Sequence, residues 1–163
     1  MIVVSNSTPL IALNAINSLD LLFSLYAHIH IPEAVHQEVV VAGSGRAGAS
    51  AVSAATWIER YTITDQHAVS NLRKTRRLHS GESEAIILAV ELSSDLILLD
   101  DRIARRVARQ HNLSIIGTIG IILLAKDVGL TAAAKPLLDG LLNAGIYIDA
   151  ALYERAMRLA DES

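Results

Sequence analysis

Short β-branched runs alternate with longer amphipathic ones along this chain. Ile2–Val4 stops at the polar turn Ser5-Asn6-Ser7-Thr8-Pro9, which predicts a strand and then a helix capped by Ser7 or Thr8, with Pro9 in its first turn. Leu10, Ile11 and Leu13, then Leu19, Leu21, Leu22 and Leu25, predict two short helices. A strand over His28–Ile31 and a helix over Pro32–Val41 follow. Gly43–Gly48 reads as a flexible loop, leading to a helix over Ala49–Arg60 and a β-like run over Tyr61–Thr64. The polar stretch from there to Ser80 carries no assigned element. Beyond it the alternation is regular: helix Glu82–Leu92, strand Leu96–Leu99, helix Arg102–His111, strand Leu113–Ile116, helix Thr118–Asp127. Connections this short predict right-handed βαβ crossovers and a parallel sheet. Two last helices, Thr131–Leu142 and Ala150–Ala160, flank Gly145–Ile148, a candidate edge strand.

With 163 residues, 52% of them apolar, the chain is long enough for one well-filled core and short for two, so a single domain over residues 1–163 is expected. The absence of cysteine excludes disulfides, thiolate metal sites and a cysteine nucleophile. No apolar stretch approaches the roughly 18 residues that span a bilayer, and Met1-Ile-Val-Val-Ser5 lacks the build of an export signal. A soluble cytoplasmic protein without membrane contact is expected. A net charge of −3 argues against wholesale coating of nucleic acid, but it conceals where the charges lie.

The acids lie where chemistry is built. Open α/β sheets place their sites at the carboxyl ends of strands. Asn6 follows the first strand, Asp100 and Asp101 follow the run Leu96–Leu99, and Glu82 and Glu84 open the helix whose start lies at that same edge. Glu38 borders the apolar face of its own helix, half turned toward the core. Taken singly, each acid is a plausible helix cap or solvated carboxylate. Taken together they would repel one another unless a hard, oxygen-loving cation such as Mg2+ or Mn2+ neutralised them. Glu82 is preferred over Glu84, because the two point in nearly opposite directions and the first turn of a helix favours a carboxylate. Arg102, Arg105, Arg106 and Arg109 recur on one face of the next helix, along which phosphate could lie. Arg73-Lys-Thr-Arg-Arg77 with His79 forms a second basic cluster, which precedes the acidic helix and could steer a polyanion toward the metal. Either cluster could equally be a solvated face or a docking surface for an acidic partner. Aromatic content of 4% leaves no base-stacking platform.

Two patterns are decoys. Gly43-Ser-Gly-Arg-Ala-Gly48 matches the dinucleotide fingerprint literally, but the residues before it read as a helix where that fingerprint needs a strand. His28 and His30 share a strand face without a third ligand nearby, so a structural role is expected.

Five blocks, Val3–Leu13, Ile31–Val39, Gly81–Ile87, Leu98–Arg105 and Ile116–Gly120, together resemble the PIN-domain family, most closely its VapC-type toxins and their uncharacterised prokaryotic relatives. The resemblance spans essentially the whole chain. It implies a three-layer α/β/α sandwich around a parallel sheet, Mg2+- or Mn2+-dependent endoribonuclease chemistry, a homodimer and a cognate antitoxin. It also implies metal binding at Asn6, Glu38, Glu82 (with Glu84 adjacent) and Asp100 (with Asp101 adjacent), with Glu38, Glu82, Asp100 and Asp101 as the catalytic acids. Asn6 departs from the family pattern, which usually has aspartate there. An amide keeps the oxygen but loses the charge, so metal affinity is expected to fall, and activity to need more Mg2+, to prefer Mn2+ or to be absent. Ser5, Ser7 and Thr118 are candidate supporting hydroxyls.

Overall fold

The computed structural model describes all 163 residues, Met1–Ser163. Five parallel strands, β1 (Val3–Ser5), β2 (Ile29–Pro32), β3 (Ile58–Tyr61), β4 (Leu96–Leu98) and β5 (Ile115–Ile116), stand in the order β3-β2-β1-β4-β5. Register is set by Val4 opposite His30 and by Val3, Val4 and Ser5 opposite Leu96, Ile97 and Leu98. The chain leaves β1 toward β2 and later returns to β1's other side as β4. The order therefore reverses between β1 and β4, the point at which open α/β sheets place their sites, beyond the carboxyl ends of the strands.

Alternate side chains of the strands feed two cores, which makes three layers. Val3, Ile29, Ile31 and Leu98 face one side and pack with α1 (Ser7–Ala15), α2 (Asp20–Tyr26), α4 (Ala47–Ala54), α8 (Thr118–Asp127), α9 (Lys135–Asn143) and α10 (Ala150–Leu159). Val4, Ile97 and Leu99 face the other and pack with α5 (Gln66–Thr75), α6 (Ser80–Glu91) and α7 (Arg102–Gln110). The expected α/β/α sandwich is the observed architecture. No single helix is long and apolar enough to cross a membrane.

Local departures from the sequence reading have physical causes. The helix expected to run to Arg60 stops at Ala54, and β3 begins at Ile58 instead of Tyr61, because backbone pairing with Ile29–Pro32 takes over residues 58–61. The polar stretch contains α5, which buries only Val69 and Leu72. Its start is tied by Asp65, whose side chain accepts from the Ala68 amide at 2.9 Å, and by Glu91, which accepts from the Asp65 amide at 2.7 Å. Gly145–Ile148 is not a strand; Ile148 simply plugs the first core. Neither Ser7 nor Thr8 caps α1: Asn6 stands at the cap position, and the Ser7 hydroxyl is engaged elsewhere.

The carboxyl-terminal tail is pinned by one carboxylate. Glu162 accepts from the Ala134 amide (2.7 Å), the Lys135 amide (3.2 Å) and Lys126 Nζ (2.9 Å), joining α8, α9 and the chain end. The Ala134 hydrogen bond first, and then the Lys126 side chain, hold its pKa below the ordinary carboxylate value. A depressed carboxylate stabilises the fold above its unfolded pKa and loses that contribution as pH falls through the folded one. Glu162→Gln is therefore expected to lower the melting temperature at neutral pH, with the gap from the native chain closing in acid. Thermal melts across that range check it.

Candidate active site

The residues at the β1–β4 switch take their placement from the strand ends. Asn6 begins where β1 stops, its amide still donating to the Leu98 carbonyl of β4 at 3.0 Å. Its side chain is only 4% exposed, and Oδ1 has no hydrogen-bond partner in the protein. An orphaned buried carbonyl oxygen is costly unless something else satisfies it.

Glu38 reaches the same edge by an irregular route. The helix α3 (Glu33–His36) widens into a π turn over Gln37–Val41, a local rewinding often found at functional sites. Half-buried there, Glu38 accepts from Ser7 Oγ through Oε2 at 2.5 Å. Its carboxylate lies over Gly81 at the start of α6. A Cβ on Gly81 would stand 2.2 Å from Glu38 Oε1, so only glycine leaves room for the acid.

Glu82, next along α6, is 4% exposed. Its carboxylate accepts from the His79 amide at 3.4 Å and faces His79 Nε2 at 3.3 Å. Burial pushes its pKa up, the charge of Asp101 adds to this, His79 opposes it, and Glu38 contributes a smaller upward push. Glu38, Glu82 and Asp101 are thus electrostatic neighbours, although they are about sixty residues apart in sequence at the extremes.

The two aspartates after β4 diverge. Asp100 is held at both oxygens by Thr118 at the start of α8, Oδ1 accepting from the amide at 2.8 Å and Oδ2 from the hydroxyl at 2.6 Å. Asp101 caps α7, accepting from the Ala104 amide at 2.8 Å, and is exposed toward Glu82. Gly117 makes the room here: a Cβ on it would meet Asp100 Oδ1 at 2.7 Å and Arg105 Nη1 at 2.8 Å.

Glu84 is not brought to this group. Its Oε1 accepts from the Ala34 amide at 3.2 Å, fastening α6 to the start of α3, as its opposite direction on the helix requires. Of the arginine stripe, Arg105 is half-buried and donates to the Leu99 carbonyl at 3.0 Å, while Arg102, Arg106 and Arg109 are exposed. The three carboxylates and their neighbours share one edge without closing into a ready-made three-residue cation cage. Of the supporting groups, the Ser7 and Thr118 hydroxyls were among the sequence candidates. Gly81 and Gly117 were not, and His79 was a candidate only as part of the basic cluster. Gly81 had a signal: a glycine in the first turn of an otherwise apolar helix, next to an acid, marks a close approach.

A PIN-domain family profile matches residues 2–162. The chain belongs to the PIN-domain family. PIN domains are generally nucleases and typically bind divalent metals, and their substrates are nucleic acids. No curated protein shows a significant match to the chain. This PIN domain offers donors that fit a hard divalent cation: the unpartnered Asn6 Oδ1, and Glu82, whose pKa is raised by burial first and then by the charges of Asp101 and Glu38.

Proposed function

We propose that the chain is a metal-dependent endoribonuclease, a single PIN-like unit acting as the toxin of a toxin–antitoxin pair. The observation that carries the reading is the orphaned, buried Asn6 Oδ1 at the end of β1, next in sequence to the Ser7 that holds Glu38, together with a buried Glu82 that feels the charges of Asp101 and Glu38. Asn6, Glu38, Glu82, Asp100 and Asp101 would hold Mg2+ or Mn2+, which when bound supplies Lewis acidity and an activated water for phosphodiester hydrolysis. Ser7 and Thr118 fix the rotamers of Glu38 and Asp100, so the acids are positioned before substrate arrives. Arg102, Arg106 and Arg109 face solvent on the helix that starts at Asp101, where they can take RNA phosphates. Cytoplasmic placement, a cognate antitoxin and a homodimer belong to the same reading, and rest on the sequence blocks shared with VapC-type toxins.

One observation favours a second reading. Asn6 brings no charge to the site, and a neutral amide binds a hard cation less tightly than a carboxylate. On that reading the chain is a weakened or silent PIN-like module that binds RNA or protein. RNA cleavage in Mg2+, Mn2+ or EDTA decides between them. The nuclease reading predicts metal-dependent cutting that Asp100→Ala lowers by about a hundredfold or more. An inert native chain that Asn6→Asp awakens would establish the silenced module instead, and inertness of every version would remove the site assignment.

A further inference from the structure

The carboxyl end of α5 and the approach to α6 form a second feature, an open surface hollow of about 540 Å3 lined by Ser70, Arg73, Lys74, Arg77, Leu78 and His79, with Arg73, Lys74, Arg77 and His79 exposed. Five of its six lining residues are polar, and three carry a full positive charge in a chain whose net charge is −3. None of Arg73, Lys74 and Arg77 makes an ion pair within the protein. The hollow also shares a wall with the acid group, because His79 lines it and presents Nε2 to Glu82 Oε1 at 3.3 Å. A polyanion seated here would touch the same His79 that faces Glu82.

Arg77 supplies a further argument. It sits just past the end of α5 with φ 55°, the left-handed conformation that glycine or asparagine takes most easily at that point of a helix terminus. An arginine there is strained for its Cβ, and it is one of the residues that line the hollow.

We infer that this hollow is a phosphate subsite for the RNA strand, holding a backbone phosphate next to the one exposed to the acid group; the inference rests on the nuclease reading for the identity of the strand. Free guanidinium and ammonium groups recognise phosphate without reading sequence. An acidic protein partner is the less suited occupant. Protein interfaces anchor on aromatic residues and arginine in desolvated pockets, whereas the cations here stand exposed and Leu78 is the hollow's only apolar wall.

The test is the affinity of a short labelled oligouridylate in EDTA, where no cutting occurs, measured over a range of salt for the native chain, Arg73→Ala/Lys74→Ala and Arg77→Gly. The subsite predicts about a tenfold or greater loss for the double variant, with a salt dependence shallower by about 0.7 per phosphate contact removed. Arg77→Gly is expected to bind several-fold more weakly while melting no lower than the native chain, since glycine relaxes the backbone there; a purely structural role would move these two readouts together. Unchanged affinity and salt slope in both variants would overturn the subsite, as would displacement of the oligouridylate by polyglutamate as effectively as by unlabelled RNA. The nuclease reading fails separately. A native chain that cuts RNA while the hollow variants bind normally overturns the subsite alone, and one that binds through the hollow but never cuts with any metal overturns the nuclease alone.

Discussion

Gly81→Ala is expected to leave the fold standing and to lower RNA cleavage by about a hundredfold. The added methyl would occupy a point 2.2 Å from Glu38 Oε1 and 2.8 Å from Cδ and Oε2. Carbon and oxygen cannot share that space, and the cheaper partner to move is the end of the flexible Glu38 side chain. Alanine in turn favours the helix by up to about 1 kcal/mol over glycine, which offsets part of the cost of moving it. Stability should therefore change little. The loss falls on position: Glu38 is displaced, and the 2.5 Å hydrogen bond from Ser7 breaks. A misplacement of about 1 Å is worth about a hundredfold in rate. A double-mutant cycle isolates the cause. If Gly81→Ala acts through Glu38, adding it to Glu38→Ala does no further harm. A native rate in Gly81→Ala, or a further loss in the double variant, would show that Glu38 is not held there for activity.

Glu82→Gln is expected to cost activity and to raise stability at once. The carboxylate is 4% exposed, and burial, Asp101 and Glu38 all push its pKa upward against His79. An acid whose folded pKa lies above its unfolded one binds protons more tightly in the native state, so its ionisation destabilises the fold as pH rises through that folded value. Glutamine keeps the shape and removes the charge. In EDTA at neutral pH the variant should melt about 2–4 °C higher, the shift expected for roughly 1 kcal/mol in a chain of this length. The advantage should vanish in acid, where native Glu82 is itself protonated. Added Mn2+ should then reverse the order, raising the melting temperature of the native chain by mass action and leaving the variant nearly unmoved. Equal melting temperatures in EDTA across the pH range would mean that Glu82 is not electrostatically frustrated.

Much of this site was legible in the sequence, and the reason is topological. The carboxyl ends of parallel strands form one edge, so Asn6 and Asp100 could be placed together from the apolar runs that precede them. Glu82 was distinguishable from Glu84 by helical direction alone, and the structure sends Glu84 to the Ala34 amide. Other features depended on tertiary contact and left little local trace. The π turn that carries Glu38 inward is not written in Gln37–Val41 as a propensity. The helix α5 was missed because only Val69 and Leu72 of its ten residues are buried, too few to set a periodicity. The start of β3 was misplaced because an edge strand takes its register from its neighbour, and Trp57–Tyr61 reads equally well as the end of a helix.

Whether the acids at the β1–β4 switch form a divalent-cation site is read by titration calorimetry with Mn2+. One Mn2+ should bind per chain, with affinity at least about tenfold weaker in Glu82→Gln and tighter in Asn6→Asp, where the missing charge is restored. The same Mn2+ affinity in the native chain and both variants would contradict such a site.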